Sequence, residues 1–134
     1  MEIYDLLMLY PGFIFGLVVN SARSAASIIL QACDVRAATP HSRILVHHGR
    51  TWDIPIDILL DDKKLKRFVD SMREGIEKKY AIYMSRTGMG RDEIQALCFE
   101  DRDIFPDEAK KLGLIDNIWT DPLPITDKGI AWVK

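Results

Sequence analysis

Apolar positions along the chain follow different rhythms in different stretches. Residues 2–9 set Ile3, Leu6, Leu7 and Leu9 at helical spacing, and Pro11 with Gly12 ends that pattern. Phe13 to Val19 is unbroken apolar and partly β-branched, too short for a buried helix. It predicts a strand covered on both faces, central in a largely parallel sheet. From Asn20 to Arg23 the pattern turns into an Ala-rich helix running to about Cys33, with Ser24 in its first turn. Thr39, Pro40 and His41 make a turn, and Ile44 to His47 make a second apolar strand. Strand, helix and strand form a βαβ unit with a right-handed crossover.

Gly49 to Pro55 is irregular. From about Asp57 to Ser85, Leu65, Phe68, Val69, Met72, Ile76, Tyr80 and Tyr83 recur at helical spacing between charged residues. The spacing predicts one long amphipathic helix, with Gly75 a point of breakage. At roughly 1.5 Å per residue it spans about 40 Å, so its apolar stripe is expected to reach past the domain and meet another subunit. Thr87, Gly88 and Gly90 end it, and Arg91 to Phe99 give a shorter helix. Pro106, Asp107 and Glu108 start another, which Gly113 caps. Leu114 to Trp119 is the last expected strand, and the tail from Asp121 to Lys134 is peripheral.

With 134 residues and 48% hydrophobic content, the chain suffices for one α/β domain over residues 1–134 without disulfide or metal support. Its 18 basic and 20 acidic side chains contain no long run of one sign, which argues against nucleic acid or an anionic membrane as partner. Cys33 and Cys98 lie far apart and outside any zinc spacing, as expected of a reduced, cytoplasmic chain. No basic leader precedes the apolar run, and that run falls far short of the roughly 20 residues a membrane span needs. The opening in mid-pattern suggests a chain that has lost its beginning.

For chemistry, Ser24 at a helix start and His47 at a strand end are positions from which a nucleophile and a base can meet, with an acid further on to orient the base. The first N–H groups of a helix, that of Ala25 among them, stabilise developing negative charge. The same residues serve equally as a helix cap, a strand-end histidine and a surface acid. Residue types alone do not choose. There is no GxSxG elbow, Walker loop or HExxH motif.

The order of segments adds what residue types cannot. IYD at residues 3–5, NSARS ending at Ser24, PHSRILVH ending at His47, TGMGRDEIQALCFEDRD containing Asp101, and DEAKKLGLID stand in sequence. In this order the chain resembles the Clp protease proteolytic subunit family, serine peptidases with the ClpP/crotonase-like fold. The resemblance implies that Ser24 is the nucleophile, His47 the base and then acid, and Asp101 the orienting acid, with Ala25 giving one oxyanion N–H. It implies a homo-oligomeric ring cutting peptides or unfolded proteins. It implies no metal and no cofactor, ATP being used only by a separate AAA+ unfoldase partner.

Departures from the family pattern set the alternatives. The family's other oxyanion donor comes from a Gly-Gly pair upstream of IYD. This sequence has no Gly-Gly, and the first strands of the fold are expected to be missing with it. Loss of one such donor costs about 10²- to 10³-fold in rate. Arg23 sets a long cation beside Ser24 where the family has a small residue, and HGRTWDIPID replaces a glycine-rich strand that pairs with substrate. The alternatives are a catalytically impaired ring subunit with a scaffold or regulatory role, and a crotonase-fold enzyme acting on acyl thioesters. The complete Ser24, His47 and Asp101 set argues against the latter.

Overall fold

Local chemistry places the element ends. In the computed structural model, which describes residues 2–122 and the backbone of residues 125–126 and 129–130, the chain begins with helix α1 (Glu2–Met8). Strand β1 (Phe15–Val18) and strand β2 (Ser21–Arg23) follow, then α2 (Ala25–Leu30), β3 (Val35–Ala38) and β4 (Arg43–Leu45). A short α3 (Ile56–Leu59) precedes the long α4 (Asp62–Thr87). Helices α5 (Arg91–Glu100) and α6 (Pro106–Lys111) lead to β5 (Asn117–Ile118). Beyond it the backbone at Ile125–Thr126 pairs antiparallel with Gly129–Ile130; the rest of the expected tail, and the expected domain limits at residues 1 and 134, lie outside the described residues.

This is an α/β arrangement, but its strands are connected differently from the simple βαβ reading. β1 pairs in parallel with β3, and β3 with β5, so β3 is central and β1 lies at an edge. β2 and β4 form a second parallel pair. The predicted strand at Phe13–Val19 is therefore shorter, and Phe13 is exposed. Residues Val35 to Ala38 were assigned to no element by the sequence, yet Ala37 and Ala38 are fully buried at the sheet centre. Alanine has low strand propensity, and burial between neighbouring strands overrides it.

Gly16 marks where α2 meets β1: a Cβ there would lie 2.6 Å from Cys33 Sγ and 2.9 Å from Leu30 Cδ1. The core gathers Val18, Ile28, Leu30, Ile44, Val46, Tyr80, Ile94, Ile104, Leu114 and Ile115. Within it Arg36 is buried and fully partnered. Its guanidinium donates to Asp116 (2.5 and 3.1 Å), Gln31 Oε1 (2.6 Å) and the Gly113 carbonyl (2.8 Å).

The long helix departs from expectation at its start. Asp61 caps α4, its Oδ1 accepting from Lys63 N (2.9 Å) and Lys64 N (3.0 Å), and this cap separates α3 from α4. Gly75 causes no break, and the helix continues to a left-handed Gly88. Its 26 residues span about 39 Å at roughly 1.5 Å per residue. Only Tyr80, Ile82 and Tyr83, all near its C-terminal end, are buried. No helix among the described residues is long and apolar enough to cross a membrane.

Candidate active site

Strand register brings the three expected residues into one neighbourhood. Arg23 of β2 pairs with Leu45 of β4, and the backbone N–H of Ser24 donates to the Leu45 carbonyl at 3.0 Å. Ser24 is thus held beside the end of β4, just before His47. On the other edge of β4, Ile44 and Ile104 form an antiparallel bridge, each N–H donating to the other's carbonyl (2.9 and 2.8 Å). Three residues onward from Ile44 is His47, and three back from Ile104 is Asp101, so an antiparallel register sets these two opposite each other.

The side chains follow. His47 Nδ1 is 3.2 Å from Asp101 Oδ1. Asp101 caps α5 in a left-handed conformation, φ 43° and ψ 47°, which turns the chain out of the helix toward β4. Arg50 stands 4.0 Å from its second oxygen. His47 Nε2 is buried and has no hydrogen-bond partner among the described residues. An imidazole whose Nδ1–H faces a carboxylate has its Nε2 lone pair free to accept a proton.

Ser24 is not in the first turn of α2 as expected; it is the residue before it, with φ 52° and ψ −118°. This backbone region favours glycine, and a side chain held there is strained. The strand-to-helix bend presents the exposed Ser24 at a corner, and its own side chain makes no capping bond. A serine on a sharp, strained turn before a helix is the arrangement that exposes a nucleophile. Ala25 opens α2, where N–H groups lack intrahelical acceptors.

Buried polar groups tie this corner to the long helix. Ser27 Oγ donates to the Ser24 carbonyl at 2.7 Å and lies 2.6 Å from Tyr83 OH, so the Tyr83 hydroxyl donates to Ser27 in turn. Burial pushes the Tyr83 phenol well above its ordinary range and keeps it a neutral donor. Gln31 Nε2 donates to the Ser27 carbonyl at 3.1 Å while its Oε1 accepts from Arg36. A continuous hydrogen-bonded chain therefore runs from Asp116 through Arg36, Gln31 and Ser27 to the backbone of Ser24.

Two clefts meet at His47. One, of about 400 Å³, is lined by Ser24, Ala25, Ile28, Ile29, His47 and Lys79, with Glu2, Ile3 and Tyr4 of α1 as its far wall. The other, of about 360 Å³, is lined by Arg23, Leu45, His47, Arg50, Asp101 and Asp103. Arg23, the long cation expected beside Ser24, pairs through its guanidinium with Asp103 at 2.5 Å, on the acid side of His47. Arg43 reaches the same carboxylate at 3.4 Å.

His48, the other histidine of the pair, is occupied elsewhere. Its Nε2 lies 2.5 Å from Tyr80 OH and its ring packs edge-on against Phe99, 4.6 Å between centroids. Burial, and then the charges of Lys79 and His47, lower its pKa below the ordinary value. Ser27, Tyr83, Lys79 and Tyr80 were not singled out by the sequence. Tyr80 and Tyr83 were read only as members of the apolar stripe, which looks the same whether it packs or lines a cleft, and Lys79 was one of the charged residues between the members of that stripe.

Compared with known protein families, residues 1–122 match the family described as Clp protease.

Proposed function

The chain belongs to the Clp protease family, and from that premise we propose that it is a serine-type endopeptidase acting through Ser24, His47 and Asp101. The observation that carries this reading is the register that sets His47 opposite Asp101 and beside the Ser24 corner. In the proposed reaction Ser24 Oγ attacks the peptide carbonyl and His47 Nε2 takes the hydroxyl proton. Asp101 steadies the imidazolium that forms. The Ala25 N–H stabilises the oxyanion. His47 then gives its proton to the leaving amine, and water releases the acyl group from Ser24 by the reverse sequence.

Clp proteases generally form oligomeric rings with unfoldase partners, and ring assembly of this chain, fed by an ATP-driven unfoldase, belongs to the same proposal. Exposed apolar residues support it: Ile3, Leu6 and Leu9 around α1, and Ile56, Leu59 and Leu60 around α3. A chain that passes native mass spectrometry only as a monomer at high concentration would count against the ring.

A second reading is a ring subunit with a scaffold or regulatory role and little activity. It is favoured by the unpartnered His47 Nε2, since a poised nucleophile would hydrogen-bond there. Cleavage of a fluorogenic peptide separates the two: turnover that disappears in Ser24→Ala supports the peptidase. Equal rates in the two proteins would rule it out.

A further inference from the structure

We infer that the cleft beside Ser24 selects peptides carrying a carboxylate, with Lys79 as its specificity-determining residue. This deepens the proposed peptidase reading and rests on it. Three other lysines of α4 are spent on acids of the same surface: Lys64 on Asp57 at 2.9 Å, Lys66 on Asp70 at 2.5 Å, and Lys78 on Glu74 at 2.7 Å; Lys63, in the first turn, pairs with no acid among the described residues but is not part of the cleft lining. Lys79 forms no ion pair among the described residues, and it lines the same cleft as Ser24 and His47.

Neighbouring contacts fix its place. Tyr80, the next residue, reaches His48 beside His47, and Tyr83, one turn on, reaches Ser27 beside the Ser24 corner. Lys79 therefore leaves α4 between the two elements that carry the candidate base and nucleophile. The remaining lining near it, Ile28, Ile29, Ile3 and Tyr4, is mostly apolar. An ammonium facing apolar walls attracts a carboxylate more strongly than one in open water, and offers three donors to it. Glu2 also lines the cleft but is exposed and makes no ion pair with Lys79, so the cation is not neutralised. A hydrogen bond to a charged group is worth roughly a 10- to 100-fold preference.

Two sources of carboxylate fit: an acidic side chain next to the scissile bond, or the free end of a short peptide. Acetylated peptide aminocoumarins ending in Glu, Gln or Leu test the first by kcat/KM. Binding of a labelled Leu-terminated peptide and its amide to Ser24→Ala tests the second. A roughly 10-fold or greater preference for Glu over Gln, or for free acid over amide, supports the inference when Lys79→Met removes it and Lys79→Arg keeps it. No such preference in either arm, with Ser24 still labelled by a fluorophosphonate, overturns the inference and leaves the serine reading standing. Failure of that labelling sinks the peptidase reading, while the binding arm still decides for or against the carboxylate site. Loss of labelling in Lys79→Met as complete as in His47→Ala would make the lysine part of the reaction, and would likewise overturn a selecting role.

Discussion

His47 Nδ1 faces Asp101 Oδ1 at 3.2 Å because the bridge between Ile44 and Ile104 sets their two segments in antiparallel register. In the proposed triad this carboxylate selects the imidazole nitrogen that carries the proton. Replacing Asp101 with Asn preserves the shape and removes that control. Peptidase turnover is expected to fall about 10⁴-fold, as when the same change is made in other serine triads. A loss below tenfold in kcat would deny Asp101 an orienting role.

The Ser24 backbone is strained and is held by Ser27, which Tyr83 holds in turn. Tyr83→Phe removes one buried hydrogen bond and is expected to cost about 1 kcal/mol in urea unfolding, and Ser27→Ala, which removes two and leaves the Tyr83 hydroxyl unpaired, is expected to cost more. Because they break the same chain, the double variant should cost less than the two singles together. Strict additivity would show that the two hydroxyls act independently.

Asp116 answers the buried Arg36, and the hydrogen bonds from that guanidinium hold its carboxyl below the ordinary 3.8. A depressed carboxylate contributes stability above its ordinary pKa, lost as pH falls through its folded value. Thermal unfolding of the parent chain should therefore weaken on acidification below about pH 4, and Asp116→Asn should flatten that limb. At neutral pH the variant leaves a buried cation under-compensated, and because the Asp116 side chain is partly exposed the expected loss is about 1–2 kcal/mol. An unchanged acid limb would contradict the assignment.

Arg23 is half exposed and its partner Asp103 keeps Arg43 when Arg23 is removed. Arg23→Ala should alter stability by no more than about 1 kcal/mol. It should also leave labelling of Ser24 within a few-fold of the parent, because the guanidinium lines the acid-side cleft and not the one shared by Ser24 and Lys79. A large gain in labelling would mean that Arg23 does crowd the nucleophile.

Much of this was readable from spacing, and what was not has physical causes. Helices α5 and α6 follow their boundary signals closely, since those signals are local: Gly88 and Gly90 ahead of α5, Pro106 at the start of α6, and Gly113 at its end. Strand β3 was missed because only Val35 of its four residues has strand character, Ala37 and Ala38 having little, and Arg36 is buried only because Asp116, 80 positions away, answers it. Ser24, His47 and Asp101 emerged from the order of whole segments. The strain at Ser24 did not, because the β2–β4 pairing that bends the chain there involves partners over twenty residues apart. Tyr83 looked like an ordinary member of the apolar stripe and Lys79 like one of the charged residues between its members, and only the packing of α4 across α2 shows that the one supports the corner and the other lines the cleft.

Covalent capture of the nucleophile tests the central claim most directly. The protein, in whatever assembly it forms, is treated with a fluorophosphonate and the modified peptide is located by mass spectrometry. The expected result is a single adduct on Ser24, absent in Ser24→Ala, abolished in His47→Ala and strongly slowed in Asp101→Asn. An adduct on another serine, or no adduct on the assembled protein, would contradict a Ser24–His47–Asp101 peptidase.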